Sequence, residues 1–583
     1  MSSTLDINPR LESQIESEFQ SEKKADAYDT NVIPSSGDRA DHDDVEQGRL
    51  KEFVNGQHQD VIPDSVDPNF IPVEEVHRAL SQRHIQMIAL AGAIGTGLFL
   101  SSGKSIRRAG PAGTLIGYGA VGAIVMCVMG CLAELSALAP LSGAYVRHSE
   151  YFVDPALSFS IGWIAVYGPC TSVPSEWVAV SVVVQYWTNL NGGIFIAICI
   201  VVAFATNVFL IRIFGEVELF CAILKIALIL GLILFGLIFD LGGVHGQPRL
   251  GFQYWRNPGA FGQGYLVTGA AGRFAGFFSV FINATYSFAG VETTAIAAAE
   301  TKNPRRNVPR AAKHIFVRVT VFYLLSLFIV GLIVPSNDPS LLSSTGTAAS
   351  SPFVLAAERA GVKVLPSIVN AVVITSAWSS GNHGILQGSR SLYALALENK
   401  APKVFARVTR FGIPWVAVTF QSSFMLLAFM TLNNDANTVF GWLSNLTSAS
   451  TLAVWITIGI CSLRVRQAMK KQGISADRLP WSAPFQPYLA HVVIWANSFI
   501  LLTGGFYVFV SGNWSVSDFF SNYFTIPLWL GLYLGWKIIF KTKIVPLDQV
   551  PLGNFIAIAE ANPEPPLHKK KGIVGWFGRF WWD

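Results

Sequence analysis

Gly92-Ala-Ile-Gly95-Thr96-Gly97 lies within the first long apolar segment of the chain, and Ser287-Phe288-Ala289-Gly290-Val291-Glu292 lies within the sixth. Glycine costs about 1 kcal/mol relative to alanine inside a helix, and an acid within an apolar span costs several kcal/mol more. Backbone that leaves the helix at membrane depth is tolerated where it lines a cavity or is buried in protein. Paired interruptions at corresponding positions of two halves therefore indicate the substrate site of a carrier.

The composition agrees with a membrane protein. Of the 583 residues, 51% are hydrophobic and only 14% are charged, and the mean hydropathy is +0.43. Because a span needs about 20 mostly apolar residues, the sequence predicts an all-α polytopic membrane protein with about twelve transmembrane helices. The predicted spans lie near 85–103, 113–139, 156–187, 193–211, 216–240, 274–299, 313–335, 364–396, 413–433, 437–463, 486–510 and 521–540.

The distribution of Lys and Arg predicts the orientation of these spans. Basic clusters follow even-numbered spans, at 302–313, 400–410 and 464–478. Basic loops face the cytoplasm, so we expect both termini to be cytoplasmic. One cluster, Lys104, Arg107 and Arg108 between the first two spans, is on the opposite side and is an exception.

Three regions follow from the hydropathy: a tail over 1–80, a transmembrane transporter domain over 81–545, and a second cytoplasmic tail over 546–583. The first tail is polar and acidic, which predicts disorder. Lys23 and Lys24 are candidate ubiquitin acceptors, so ubiquitin-ligase adaptors are possible partners of the tails; the alternative is a solvated tail with no specific partner. The lysines at 569–571 and the aromatic residues after them suit the headgroup layer of an anionic leaflet, and a free tail is the alternative.

The interruptions offer complementary backbone groups. The N–H groups of Gly95, Thr96 and Gly97 would stand at the positive end of a half-helix, which is suited to a carboxylate. The carbonyl groups freed at the breaks suit an ammonium group or a cation, and we expect them around Ala93, Ile94, Ser287 and Phe288. A site that offers both is suited to a zwitterion, and the Phe288 ring is expected to cover it as a lid. Close helix packing is the alternative explanation of the first glycine motif.

A series of motifs follows in order along the chain. They are Leu80-Ser-Gln-Arg83-His84 through Gly97-Leu-Phe, Ala133-Glu134, Asp154-Pro155-Ala156, Tyr286-Ser-Phe-Ala-Gly290-Val-Glu292, Glu300-Thr-Lys-Asn-Pro304-Arg305, Val308-Pro-Arg310-Ala, Ser389-Arg390-Ser391-Leu392-Tyr393-Ala394-Leu395-Ala396 and Lys400-Ala-Pro402. This series resembles the fungal amino acid permeases, the yeast amino acid transporter family of the amino acid, polyamine and organocation superfamily. The resemblance runs from about residue 77 to residue 545.

This resemblance implies two inverted repeats of five helices followed by two accessory helices. It also implies proton-coupled import of L-amino acids across the plasma membrane by alternating access. The substrate would lie between the first and sixth spans, with the third and eighth completing the pocket. The substrate-binding residues that we expect are Ala93, Ile94, Gly95, Thr96, Gly97, Glu176, Ser287, Phe288, Ala289, Gly290, Ser380 and Asn382.

Proton coupling requires a titratable group within the membrane. Lys225 is alone in an apolar run of the fifth span, and a desolvated lysine changes its charge readily. The resemblance implies that in proton-coupled relatives a lysine at this place on the fifth helix replaces the sodium ion that sodium-coupled members bind. The alternative is that Lys225 snorkels to an interface. Glu292 is the second candidate, either as a proton carrier or as a fixed partner of the unwound backbone, whereas Glu134 and Glu176 are expected first to be structural or gating acids.

Two features of the sequence bear on the substrate class. Glu176 after Pro174-Ser175 resembles the third-helix pattern of the neutral and basic branches, and a carboxylate there would repel an acidic substrate. The run around Trp378 resembles the proline-permease branch, but His383 and Gln387 depart from the small residues usual there. Neutral amino acids or proline are favoured. An acidic amino acid permease and a sensor of the same fold without transport are the alternatives.

Enzymatic and nucleotide-driven functions are not indicated. The sequence contains no P-loop, and its six cysteines fall within predicted spans without any Cys or His pair at a metal-ligand spacing. We therefore expect no catalytic residues, no metal, no cofactor and no nucleic-acid partner.

Overall fold

A computed structural model describes residues 95–141, 143–209, 214–293, 303–342, 351–409 and 412–563. These residues are almost entirely helical, with one short hairpin of β1 (Gly264–Tyr265) and β2 (Val267–Thr268). The helices are α1 (Ser102–Leu138), α2 (Tyr145–Phe152), α3 (Pro155–Val184), α4 (Gly192–Phe209), α5 (Phe214–Asp240), α6 (Gly269–Phe288), α7 (Pro304–Ile333), α8 (Pro352–Arg359), α9 (Leu365–Leu397), α10 (Trp415–Ser423), α11 (Ala436–Gln472), α12 (Tyr488–Thr503), α13 (Val516–Tyr523), α14 (Thr525–Phe540) and α15 (Leu552–Ala561). Shorter π-helical and 3-10 turns span Gly97–Ser101, Trp255–Gly259, Pro339–Leu342, Lys403–Ala406, Phe424–Leu432, Ala476–Arg478 and Phe506–Phe509.

The predicted all-α membrane architecture is confirmed. Within the described ranges, seven helices are long and apolar enough to cross a membrane, or up to eight if α13 and α14, which meet at a bend of 49°, form one span. In addition, α6, α7 and α9 occupy the predicted spans near 274–299, 313–335 and 364–396.

The first two predicted spans are joined by a tight corner. The run Gly97–Leu138 is broken at Gly110, whose φ of 74° is not helical, and Pro111 follows directly. The Gly262 N–H donates a hydrogen bond of 2.8 Å to the Ala109 carbonyl at this corner. The bend is therefore held by the backbone of the segment that leads into α6.

This corner also accounts for the exceptional basic cluster. Lys104, Arg107 and Arg108 lie inside α1 and not in a free loop. Lys104 Nζ donates to the Asn437 carbonyl (3.1 Å), and Arg107 donates to the Ser336 carbonyl (3.3 Å). The Arg108 guanidinium lies 4.5 Å from the centre of an aromatic ring in β1. These cations have structural partners, so their position is not decided by loop charge alone.

The helices that frame the site begin and end at local signals. The Asp154 carboxylate accepts a hydrogen bond from the Ala156 N–H (2.9 Å) and caps α3. Asp435 caps α11 by accepting from the Thr438 N–H (3.0 Å), and Gly473, in the left-handed conformation (φ 68°), ends that helix. Both α9 and α11 pack along α3, which brings three helix faces together at the centre of the bundle.

Glu134 joins α1 to the far end of α11. Its Oε1 accepts from Arg466 Nε (2.8 Å), and its Oε2 accepts from the Ala483 N–H (2.8 Å). Because the Glu134 carboxylate is buried, removing Arg466 would leave an uncompensated buried charge, which is strongly destabilising.

The beginning of the predicted C-terminal tail folds onto the bundle. Leu552 and Ile556 of α15 are fully buried. Gln472 Nε2 donates to the carbonyls of Leu547 and Val550, each at 2.9 Å. The N-terminal tail over 1–80 and the basic and aromatic stretch after residue 563 lie outside the described residues.

Candidate functional site

A cavity of about 120 Å³ lies where α3, α9 and α11 meet Gly95 and Gly97 of the first glycine motif and the end of α6. Residues spaced three and four apart line it on each long helix, because such residues share one helix face. The lining consists of Gly95, Gly97, Tyr145, Ile164, Ala165, Gly168, Pro169, Ser172, Glu176, Tyr286, Ser287, Ala289, Gly290, Glu292, Thr293, Ser380, His383, Gly384, Gln387, Thr447, Ser450, Thr451 and Val454.

The second glycine motif interrupts the helix. After α6 ends at Phe288, the chain turns through Ala289 (ψ 142°) and Gly290 (φ 91°). A positive φ of this size favours glycine. The Ser287 carbonyl at the break accepts a hydrogen bond from the Tyr323 hydroxyl (2.9 Å). This carbonyl was expected to be free for a ligand, but it already has a partner.

The two glycines of the first motif have different surroundings. A Cβ on Gly95 would lie 3.3 Å from Glu176 Oε1 and 3.6 Å from Ser380 Oγ, so Gly95 faces the cavity between α3 and α9. A Cβ on Gly97 would lie 2.9 Å from Ser287 Cα. Gly97 therefore also serves close packing against α6, which was the alternative explanation of this motif.

Two buried polar side chains stand beside Gly95. Thr96 is fully buried, and within the described ranges its hydroxyl lies near Glu176 and Tyr286 but forms no hydrogen bond of good geometry. Glu176 is also buried, and its Oε2 lacks a partner in the same ranges. Ala93 and Ile94, the other predicted residues of this motif, lie outside the described residues.

Lys225 points into the bundle rather than to an interface. Its side chain is 1% exposed. Nζ donates to Ser379 Oγ (3.1 Å) and, more weakly, to Ser380 Oγ (3.5 Å). The Ser379 hydroxyl in turn contacts both carboxylate oxygens of Glu218 at 2.9 Å. Because Ser380 lines the cavity, the ammonium group lies one hydroxyl away from the cavity wall.

Glu292 lines the cavity and has a fixed neighbour. Trp455 Nε1 donates to its Oε2 at 3.1 Å. This contact ties the segment after the break to α11.

Two predicted site residues lie away from the cavity. The Phe288 ring is fully buried and stacks on Tyr323, with 5.0 Å between ring centres. It therefore packs in the core and does not cover the cavity. Asn382 Oδ1 accepts from Asn207 Nδ2 (2.8 Å) and from the Thr206 hydroxyl (3.0 Å), so Asn382 joins α9 to α4.

Other residues at the site were not expected from the sequence. Tyr286, and not Phe288, is the aromatic residue of α6 that lines the cavity, and its hydroxyl is 2.8 Å from Ser175 Oγ. Glu218 could have been found from its position seven residues before Lys225, which places both on one helix face. His383 and Gln387 could have been found from their spacing of three and seven residues after Ser380.

The described residues contain no group of three or more His, Cys, Asp or Glu side chains that could hold a metal ion. The six cysteines are free thiols.

Comparison with known proteins identifies a matching family and several similar proteins. The family profile described as "Amino acid permease" matches residues 84–549. The dicarboxylic amino acid permease of Saccharomyces cerevisiae is 37% identical over 86% of this chain and 83% of its own length. The proline-specific permease of Emericella nidulans is 38% identical over 87% of this chain and 92% of its own length. The lysine-specific permease of Saccharomyces cerevisiae is 39% identical over 81% of this chain and 77% of its own length. Among solved structures, the manganese transporter of Eremococcus coleocola has a similar fold, with a TM-score of 0.50 at 12% identity, covering 86% of this chain and 100% of that chain.

Proposed function

The chain belongs to the amino acid permease family and is a multi-pass membrane transporter of amino acids, and we propose that it imports neutral L-amino acids or proline together with protons. The proposal places it in the plasma membrane with both termini in the cytoplasm, and transport proceeds by alternating access. The observation that carries it is the cavity lined by residues of both glycine motifs, with a buried lysine one hydroxyl away from its wall.

The substrate carboxylate binds at the start of the helical run that begins at Gly97. The N–H groups there stand at the positive end of the helix, and Gly95 has no side chain to block their approach. The ammonium group binds at the backbone carbonyls of Phe288 and Ala289, where α6 ends; the Gly290 carbonyl already accepts from Thr293. Glu176 faces the same space and adds negative charge, which disfavours a second substrate carboxylate.

Proton coupling runs through Lys225. Its ammonium group is buried and contacts Ser379 and Ser380, while Glu218 on the same helix supplies a negative charge through Ser379. Because Ser380 is shared between this network and the cavity wall, substrate occupancy and the protonation state of Lys225 are linked. Glu292, whose carboxylate accepts from Trp455, is the second candidate for the coupling residue.

The test is uptake of radiolabelled amino acids in a permease-deficient fungal strain that expresses this chain. We expect accumulation of proline or another neutral amino acid above the external concentration, and loss of accumulation when a proton uncoupler is added. Accumulation that is insensitive to the uncoupler would contradict proton coupling. A protein at the cell surface with no flux of any amino acid would contradict transport and support a sensor.

One relative favours a second substrate class. The dicarboxylic amino acid permease is 37% identical to this chain, so glutamate and aspartate belong in the same uptake panel. Preference for either of them over the neutral substrates would replace the neutral assignment with an acidic one.

A further inference from the structure

One wall of the cavity is a polar face of α9. Ser380, His383, Gly384 and Gln387 all line the cavity, and their spacing places them on the same side of the helix. A Cβ at Gly384 would lie 2.6 Å from Val173 Cγ2, so α9 and α3 are in close contact here. His383 and Gln387 stand on either side of this contact and present their side chains to the cavity.

The imidazole of His383 has no hydrogen-bond partner among the residues that the structure describes. Both ring nitrogens are buried, and neither Nδ1 nor Nε2 has a hydrogen bond to any part of the chain that the structure describes. Buried polar side chains are normally hydrogen-bonded, because an unpaired one loses its water without compensation. Two unpaired nitrogens that face a cavity therefore point to a polar group of the ligand.

The position of His383 separates it from the groups that would hold the substrate backbone. Ser380 Oγ is 3.6 Å from the position of a Cβ on Gly95. With a rise of 1.5 Å per residue, His383 lies about 5 Å and Gln387 about 10 Å further along α9. An amino acid held at Gly95 by its carboxylate can extend its side chain along this wall.

We propose that His383 and Gln387 form the subsite for the substrate side chain and select a neutral hydrogen-bonding group, above all the carboxamide of glutamine or asparagine. A neutral imidazole offers one donor and one acceptor, and a carboxamide offers both in return. A carboxylate side chain fits less well, because Glu176 and Glu292 line the same cavity. This inference rests on the proposed transport of neutral amino acids and names the class among them.

The experiment compares uptake of radiolabelled glutamine, alanine and glutamate by cells expressing wild-type protein or His383→Leu. Wild-type protein should prefer glutamine to both others. His383→Leu should lower the kcat/KM for glutamine roughly 10-fold or more relative to that for alanine, because leucine keeps the bulk and removes both hydrogen-bonding atoms. His383→Asn, which keeps a donor and an acceptor, should restore part of the preference.

Gln421→Leu is the matched control. Gln421 is a buried amide whose Oε1 lies 2.5 Å from the position of a Cβ on Gly388 of α9, but it does not line the cavity. This variant should leave the ratio of glutamine to alanine uptake unchanged.

Several results would overturn the subsite. These are an unchanged ratio of glutamine to alanine uptake in His383→Leu, an equal loss of alanine and glutamine uptake at a normal level of surface protein, and a wild-type preference for glutamate.

Thermal melts of purified protein with added glutamine separate the subsite proposal from the transport proposal. Suppose that wild-type protein does not transport, that glutamine raises its melting temperature, and that glutamine does not raise that of His383→Leu. The subsite proposal then stands and the transport proposal is wrong. If wild-type protein shows neither uptake nor stabilisation by glutamine, both proposals are wrong.

Discussion

The substitution Gly95→Ala adds one methyl group at the cavity that residues of both glycine motifs line. Its Cβ would lie 3.3 Å from Glu176 Oε1 and 3.6 Å from Ser380 Oγ. Gly95 does not adopt a positive φ, so alanine is compatible with the backbone. Both neighbours are ends of side chains that can shift by a few tenths of an ångström. We therefore expect the protein to fold and the substrate space to shrink.

The cost should appear in substrate binding. Overpacking by a methyl group costs about 1 to 3 kcal/mol, and this range corresponds to about a 5- to 150-fold loss of affinity. The KM for uptake should rise by a factor in this range while the amount of protein at the cell surface stays near the wild-type level. Uptake kinetics and the surface fluorescence of a tagged protein measure the two quantities separately.

Two other glycines provide controls for this substitution. A Cβ at Gly97 would lie 2.9 Å from Ser287 Cα, which is backbone and cannot move aside cheaply, so Gly97→Ala should lower the amount of folded protein. Gly231 has no atom within 4 Å of its Cβ position, so Gly231→Ala should change neither quantity. A wild-type KM in Gly95→Ala, or a loss of folded protein as large as in Gly97→Ala, would refute the assignment of Gly95 to the substrate site.

Three further predictions concern charge. Lys225→Ala should flatten the pH dependence of uptake and abolish net accumulation while substrate exchange survives; accumulation at the wild-type level that still collapses with an uncoupler would implicate Glu292 instead. Glu176→Gln should raise glutamate uptake relative to alanine by about 5- to 150-fold, the equivalent of about 1 to 3 kcal/mol of relieved repulsion, as measured by competition. Burial lowers the pKa of His148 in α2 from 6.5 to about 4. Between pH 6.5 and about pH 4 the unfolded state therefore binds more protons than the folded state. The free energy of unfolding should fall by up to about 3 kcal/mol as the pH drops through this range. Thermal melts at successive pH values should show this slope, and His148→Gln should remove most of it.

The sequence predicted the kind of site better than the direction of its side chains. Glycine breaks and an isolated lysine in an apolar span are chemically costly, so they could be recognised without coordinates, and Gly290 and Lys225 lie at or beside the cavity. The orientation of a ring on a helix depends on neighbours that the local pattern does not reveal. Phe288 follows Tyr286 by two positions, which rotates it by about 200° around the helix and into the core.

A similar rotation separates Asn382 from His383. Adjacent residues on a helix differ by about 100° in direction, so the first contacts α4 and the second faces the cavity. Glu218 was not expected at the site for another reason. It lies near the beginning of a predicted span, where an acid is usually solvated. Its spacing of seven residues from Lys225 was a signal, and the structure adds its burial and its contact with Ser379 of a distant helix.

The corner at Gly110 has a consequence for biosynthesis. Two backbone hydrogen bonds close it: the Gly262 N–H donates to the Ala109 carbonyl, and the Ala112 N–H donates to the Ala260 carbonyl. The ribosome adds Ala260 and Gly262 roughly 150 residues after the corner. At about 5 to 20 residues per second this delay lasts roughly 10 to 30 s. During that interval, water or lipid headgroups must occupy the open backbone groups at the corner. The helix that carries Gly97 can reach its final angle only when the segment leading into α6 emerges, so a nascent chain stopped before residue 260 should expose this corner to labelling reagents.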